Sequence, residues 1–204
     1  MAGRGLSQLR EVGNIGGIRC AGSVLGDWRG GEEMMSVFEC VRGRIETREF
    51  KPDVVPEAVL QKILAAGRWS PSQRNRQPWH FIAVQDRETL KQLAAMAPSG
   101  PYLAEAPLAI VVVTEGARAP LIDGTRAISS MQLVAWEEGL GSCWVGGVDR
   151  DGVKRLLDIP EGCELITVLP FGYPTDAAKR LRKRRKPLDQ MAHRERFGTP
   201  FGPV

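Results

Sequence analysis

Apolar positions become periodic only from about residue 34 onward. Ser36, followed three residues later by Glu39, has the form of a capping box. It opens a short helix that carries Val37, Phe38 and Val41 on its apolar side and delivers Arg42, Arg44 and Arg48 near its C-terminal end. Pro56 and Glu57 open a second helix, in which Val59, Leu60, Ile63 and Leu64 form one stripe and Gly67 closes the element. The following stretch, RWSPSQRNRQPW, is dense in proline, serine and asparagine and reads as a loop. Residues 80–84 then form a strand, and Asp86 caps a helix with Leu90, Leu93 and Ala94 facing inward.

The run LAIVVV over residues 108–113 has the unbroken β-branched character of a strand covered on both faces. Residues 123–138 give a longer helix, with Ala127, Met131, Val134 and Ala135 at helical spacing and Gly139 as its stop. A glycine-containing strand over 142–148, a helix over 149–157 stopped by Pro160, and a last strand over 165–171 complete the pattern. Helices and strands in this mixed rhythm predict a layered α+β domain. Nine of the 23 glycines fall within the first 31 residues, so residues 1–33 read as a mobile, glycine-rich extension and residues 34–204 as the functional domain.

A chain of 204 residues can bury a core without disulfides or metal. The longest apolar runs fall far short of the roughly 20 residues of a membrane span, and no continuous apolar segment near the N-terminus resembles a secretory signal. The expectation is a cytoplasmic protein without a membrane partner. Cys20, Cys40, Cys143 and Cys163 lie far apart, and His80 and His193 add no metal-ligand spacing, so no metal is expected and the thiols read as reduced and buried or half-buried. Residues 177–196 carry nine Lys or Arg against Asp189 and Glu195, a net +7; with +4 overall, the other 184 residues carry −3. The basicity is one local patch, unlike the spread of a general nucleic-acid binder.

The familiar phosphate cradles GxGxxG and GxxxxGK[ST] are absent, as is a GxSxG elbow, so side chains alone suggest no active site and a bound cofactor would have to supply the chemistry. Three clusters fit that idea. In Arg44-Ile45-Glu46-Thr47-Arg48, two guanidinium groups four residues apart can clamp a phosphate or a planar carbonyl, or can form a solvated face with Glu46 and Glu49. The loop from Ser70 to Trp79 can offer Ser72 and Asn75 to the polar edge of a flat heterocycle with Pro71 over its face, or can be a well-capped connector. In Gly139 to Gly147 the adjacent glycines allow a main-chain N–H close to a ligand, or make a tight turn.

In this order and spacing the clusters resemble the nitroreductase family of FMN-dependent oxidoreductases, over about residues 37–197. The most specific piece is PSxxNxQPW, matched by Pro71, Ser72, Asn75, Gln77, Pro78 and Trp79. RxxxRxF at Arg44, Arg48 and Phe50, GLGSCWVGG, IPEG, GYP and KRRKPL follow at the family's separations. The resemblance implies a central, mostly antiparallel mixed sheet flanked by helices, an intertwined homodimer, and two FMN sites at its interface. It implies that Arg44, Lys183 and Arg185 hold the FMN phosphate and that Arg48 and Asn75 lie by the pyrimidine or ribityl side. Pro71 and Ser72 would line the ring, and Trp144, Val145, Gly146 and Gly147 would pass its reactive edge with an N–H of Gly146 or Gly147 aimed at N5. Ile45 and Glu46 belong to the same stretch, with Glu46 orienting Arg44 or Arg48.

The implied activity takes two electrons from NADH or NADPH to a nitroaromatic, a quinone or a related small acceptor. Family members that fragment flavin to dimethylbenzimidazole or remove halogen from tyrosine derivatives give a second reading. A basic module that binds nucleic acid or an acidic partner through KRLRKRRK is a third, and leaves PSxxNxQPW and WVGG unexplained. The other tryptophans, Trp69, Trp79 and Trp136, read as core fillers.

Overall fold

A run of six apolar residues organises the fold. The computed structural model describes residues 35–179 and 183–202, and at its centre lies strand β2, Leu108–Glu115, with every residue buried except the last. Side chains alternate across a strand, so Ala109, Val111 and Val113 enter one core cluster and Leu108, Ile110 and Val112 the other. Each fully buried aliphatic side chain contributes roughly 1.5–3 kcal/mol. Strands β1 (Trp79–Val84) and β4 (Cys163–Gly172) flank β2, and the two-residue β3 (Gly141–Ser142) closes the order β1-β2-β4-β3. All three strand pairings are antiparallel, and a parallel bridge from Glu46 to Ser142 adds the mixed character at the β3 edge.

Helices cover both faces. On one, α3 (Arg87–Ala95) and α5 (Arg150–Leu156) contribute Leu90, Leu93 and Val153; on the other, α2 (Glu57–Arg68) and α4 (Pro120–Glu137) contribute Leu60, Ile63, Ile128 and Met131. The expected N-cap at Asp86 holds, accepting the Thr89 N–H at 2.8 Å, and the structure adds a cap at Asp149, which accepts the Gly152 N–H at 3.0 Å. The result is the layered α+β fold that the pattern predicts. Cys40, Cys143 and Cys163 are free and buried, as expected; Cys20 and the predicted 1–33 extension lie outside the described residues.

Several details differ from the prediction. Helix α1 (Val37–Gly43) is capped by the Ser36–Glu39 box but ends before Arg44, so Arg44–Arg48 is extended rather than helical. Its predicted apolar side is exposed: Val37, Phe38 and Val41 are 76%, 71% and 50% accessible, and Cys40 is the residue it buries. Gly67 does not close α2 but lies inside it, where a Cβ would stand 2.8 Å from Phe81 Cζ and 2.9 Å from Met131 Sδ. Helix α4 starts at Pro120, and Asp123 is a buried residue of its first turn rather than its cap. Of the strand expected over 142–148, pairing reaches only Ser142. Trp69 is exposed and Trp136 half-buried, whereas Trp79 is in the core.

Candidate functional site

An extended segment shows the same face every second residue. Arg44, Glu46 and Arg48 therefore share one side of the chain after α1, while Ile45 and Thr47 are buried on the other. The segment is pinned to the β3 edge by the Thr47 N–H on the Ser142 carbonyl at 3.0 Å, and further on by the Lys51 N–H on the Tyr173 carbonyl at 2.8 Å. The alternation also brings Glu46 between the two arginines. Its Oε1 accepts from Arg44 Nη1 at 2.7 Å and its Oε2 from the Trp144 N–H at 3.1 Å. Burial works to raise the Glu46 pKa, but the hydrogen bond and charge of Arg44, with the Trp144 N–H, outweigh it and hold the carboxyl below its ordinary value. Glu46 orients Arg44 and ties it to Trp144.

The C-terminal cations join this cluster. Lys183 Nζ donates to the Val41 carbonyl at 2.7 Å, one of the unpaired carbonyls at the end of α1. Its pKa is lowered, by burial first and then by the positive charges of Arg44 and Arg185, with Glu46 acting the other way. Three cations thus stand close enough to repel one another, with Glu46 as the carboxylate among them. Such an arrangement gains from an anion, and Arg44 and Lys183 keep donors to spare. Beside it, Glu39, Arg42, Gly43, Ile45, Trp136, Lys179 and Lys183 line a cavity of about 350 Å³, which neither Arg44 nor the glycine loop borders.

Past Trp144 the chain leaves the sheet ladder through Val145, Gly146 and Gly147, with the Val145 carbonyl accepting from Thr167 Oγ1 at 2.7 Å. Trp144 is half-buried, Val145 is buried and both glycines are exposed. The Gly147 N–H is occupied, donating to Ser99 Oγ at 2.7 Å, while Ser99 returns a hydrogen bond to the Gly147 carbonyl at 3.3 Å. The Gly146 N–H has no partner among the described residues, and nothing stands within 4 Å of its Cβ direction. Of the two donors the sequence suggests, Gly146 is the open one. Arg48 is exposed, its Cζ 6.0 Å from the centre of the Tyr102 ring.

The third predicted cluster stands elsewhere. Ser72 Oγ accepts the Gln77 N–H at 2.8 Å, and Asp123 Oδ1 accepts the Gln73 N–H at 3.0 Å. These bonds hold a loop in which Arg74, Asn75 and Gln77 all have positive φ, a conformation that asparagine tolerates and the other two resist. Pro71 and Asn75 are exposed and Ser72 half-buried. The loop feeds β1 at Trp79, whose partner Thr114 pairs with Glu164, whereas Ser142 pairs with Phe171 at the other end of β4. Three strand spacings across and seven residues along put the two corners on the order of 27 Å apart. One chain therefore assembles Arg44, Ile45, Glu46, Arg48, Trp144–Gly147, Lys183 and Arg185, but does not bring Pro71, Ser72 and Asn75 to them. Asp123, Ser99 and Tyr102, which shape the loops, carry no motif that marks them in the sequence; Gly100, whose added Cβ would stand 2.7 Å from Val145 Cγ1, is the one local sign of a close approach there.

The nitroreductase family model matches residues 41–115 and 98–173. A protein of Methanothermobacter thermautotrophicus named "Putative NADH dehydrogenase/NAD(P)H nitroreductase" is 34% identical over 151 residues, covering 70% of this chain and 79% of that protein. The solved structure of an FMN-dependent nitroreductase from Clostridium difficile R20291 superposes with a TM-score of 0.71 at 27% identity, over 78% of this chain and 99% of that one. The iodotyrosine deiodinase of Thermotoga neapolitana is 25% identical over 169 residues, 70% of this chain and 91% of its own length. With a matching family model over most of the ordered elements, a relative above 30% identity and the same architecture, the chain belongs to the nitroreductase family.

Proposed function

We propose that the chain is an oxidoreductase that binds FMN and carries an electron pair from NADH or NADPH to a small acceptor such as a nitroaromatic or a quinone. The observation that carries this reading is the convergence of Arg44, Lys183 and Arg185 at one end of a surface whose other end is the open Gly146 N–H. When bound, the flavin supplies the two-electron chemistry, which no side chain in this set can supply. Arg44, Lys183 and Arg185 neutralise the phosphate. Glu46 keeps Arg44 aimed, through the 2.7 Å ion pair, and holds the Trp144 peptide in place. Arg48 would place a positive charge by the pyrimidine side of the ring, and the Gly146 N–H would present a donor to its reactive rim.

In this reading Pro71, Ser72 and Asn75 reach the ring from a second copy of the chain, since one copy holds them at the far corner of its sheet. The exposed Val37, Phe38 and Val41 of α1, Leu121 and Ile122 of α4 and Phe197 support a homodimer, because a monomer would leave them in water. No described helix is long and apolar enough to cross a membrane, and the three free thiols support a reducing compartment such as the cytoplasm. The basic-module reading falls partly on residues 180–182, outside the described residues; we assign no nucleic-acid partner.

The test is one anaerobic titration. Purified protein, as isolated or after incubation with FMN, should show flavin absorbance that bleaches with NADH or NADPH and returns with a nitroaromatic or quinone. Product analysis after reoxidation in air, and after addition of 3-iodotyrosine, separates this activity from flavin fragmentation and deiodination. Sedimentation should report a dimer. A protein that remains colourless with excess FMN overturns the reading.

A further inference from the structure

Residues 96–102 lie outside the sheet, yet they track the glycine loop almost residue by residue. The Met96 carbonyl accepts the Asp149 N–H at 2.8 Å, Ser99 holds both polar groups of Gly147, and Gly100 packs against Val145 so closely that a Cβ would overlap it. Tyr102 completes the series with its hydroxyl 3.2 Å from Cys143 Sγ. The same ring also faces the Arg48 guanidinium, whose Cζ stands over it 6.0 Å from its centre, so that the phenol and the cation interact electrostatically. Arg48 makes no ion pair among the described residues.

The direction of these bonds follows from the inventory of donors. The Cys143 thiol proton goes to the Trp144 carbonyl, so the phenol directs its own proton to the Cys143 sulfur and leaves its lone pairs for the neighbouring Arg48 cation. That sulfur is fully buried, and its thiol donates weakly to the Trp144 carbonyl at 3.5 Å. Arg48, an exposed side chain with many rotamers, is therefore anchored through Tyr102 to the stretch that includes Gly146. Without an anchor, a guanidinium at this position would spread its charge over a volume of solvent, and pre-organised charge outweighs mobile charge in stabilising an anion.

We infer that Tyr102 is the positioning residue for Arg48, fixing the place of its charge against the pyrimidine edge of a bound flavin and so raising the preference of this site for the reduced ring. The inference rests on the FMN reading above. Burial first, with the Cys143 contact, raises the Tyr102 pKa to about 12, so the phenol keeps the proton that this arrangement requires at any pH at which the protein works.

The variant Tyr102→Phe keeps the ring beneath Arg48 and removes the hydroxyl. Parent and variants would be loaded with FMN, and the affinity for oxidised flavin and the midpoint potential measured on each. Tyr102→Phe should bind oxidised FMN within about threefold of the parent. It should lose roughly tenfold in preference for the reduced form, which for a two-electron couple is a potential about 30 mV lower. Arg48→Gln, at an exposed position, should show at least the same shift, and adding Tyr102→Phe to it should change nothing further. An unchanged potential in Tyr102→Phe, or a full additional shift in the double variant, overturns the inference while leaving the FMN reading intact. A parent that takes up no FMN removes both.

Discussion

Gly141→Ala should pull the candidate site apart from the inside. A Cβ at Gly141 would stand 2.1 Å from Thr47 Oγ1, 2.5 Å from its Cβ and 2.7 Å from its Cγ2. Thr47 is fully buried and backbone-bonded to Ser142, so it has no free rotation into solvent. Carbon atoms pack at about 3.5–4.0 Å; to reach that distance the Arg44–Arg48 segment must move roughly 1 Å from the β3 edge. The movement would stretch the 3.0 Å bond from the Thr47 N–H to the Ser142 carbonyl and the 3.1 Å bond from the Trp144 N–H to Glu46.

Overpacking costs about 1–3 kcal/mol and each of the two weakened hydrogen bonds about 1 kcal/mol, a total of roughly 3–5 kcal/mol. At about 2–4 °C per kcal/mol for a chain of this length, the melting temperature should fall by roughly 6–20 °C. Thermal melts followed by circular dichroism, together with FMN binding by fluorescence quenching, measure both consequences, since Glu46 and Arg48 flank the displaced residue. Thr47→Gly in the same chain removes the three clashing atoms and should recover a large part of the loss. A Gly141→Ala protein that melts within 2 °C of the parent and binds FMN equally would refute the reasoning.

Three further outcomes follow from the same geometry. Arg185→Ala removes one of the proposed charge-assisted phosphate contacts, expected to be worth roughly 1.5–3 kcal/mol, and should weaken FMN binding about 10- to 100-fold while leaving riboflavin binding within a few-fold, as paired titrations would show. Glu46 has a folded-state pKa below its ordinary 4.5, because Arg44 and the Trp144 N–H outweigh the opposing effect of burial; its stabilising contribution is therefore full above about pH 4.5 and is lost as pH falls through the lower folded value. The parent should lose melting temperature over that window more steeply than Glu46→Gln, whose curve there should be flatter. Ser99→Ala leaves the Gly147 N–H and carbonyl without their reciprocal partner, costs about 1 kcal/mol, and should speed hydrogen exchange at the Gly147 amide without altering that of β2.

Local signals along the chain determined most of the fold. The unbroken LAIVVV run has the mark of a strand covered on both faces, and Ser36 and Asp86 cap their helices as a short-range hydrogen bond requires. The motif PSxxNxQPW and the basic residues Arg44, Lys183 and Arg185 were legible because family-specific chemistry is written in contiguous residues at fixed separations. What spacing left ambiguous was the side of the chain on which those residues stand: Arg44 and Arg48 share a face in a helix and in a strand alike, and only pairing with Ser142 made the segment extended and placed Glu46 between them.

Non-local pairing decided the rest. Sheet order sent Pro71, Ser72 and Asn75 to the corner opposite Arg44, a separation that no periodicity can carry. Asp123 holds the Ser72–Gln77 loop across 50 residues, and Ser99 and Tyr102 hold the glycine loop across more than 40. Such partners are chosen by tertiary packing, because a single hydroxyl or carboxylate leaves no imprint on the apolar pattern around it, and its counterpart is set only when the sheet has formed.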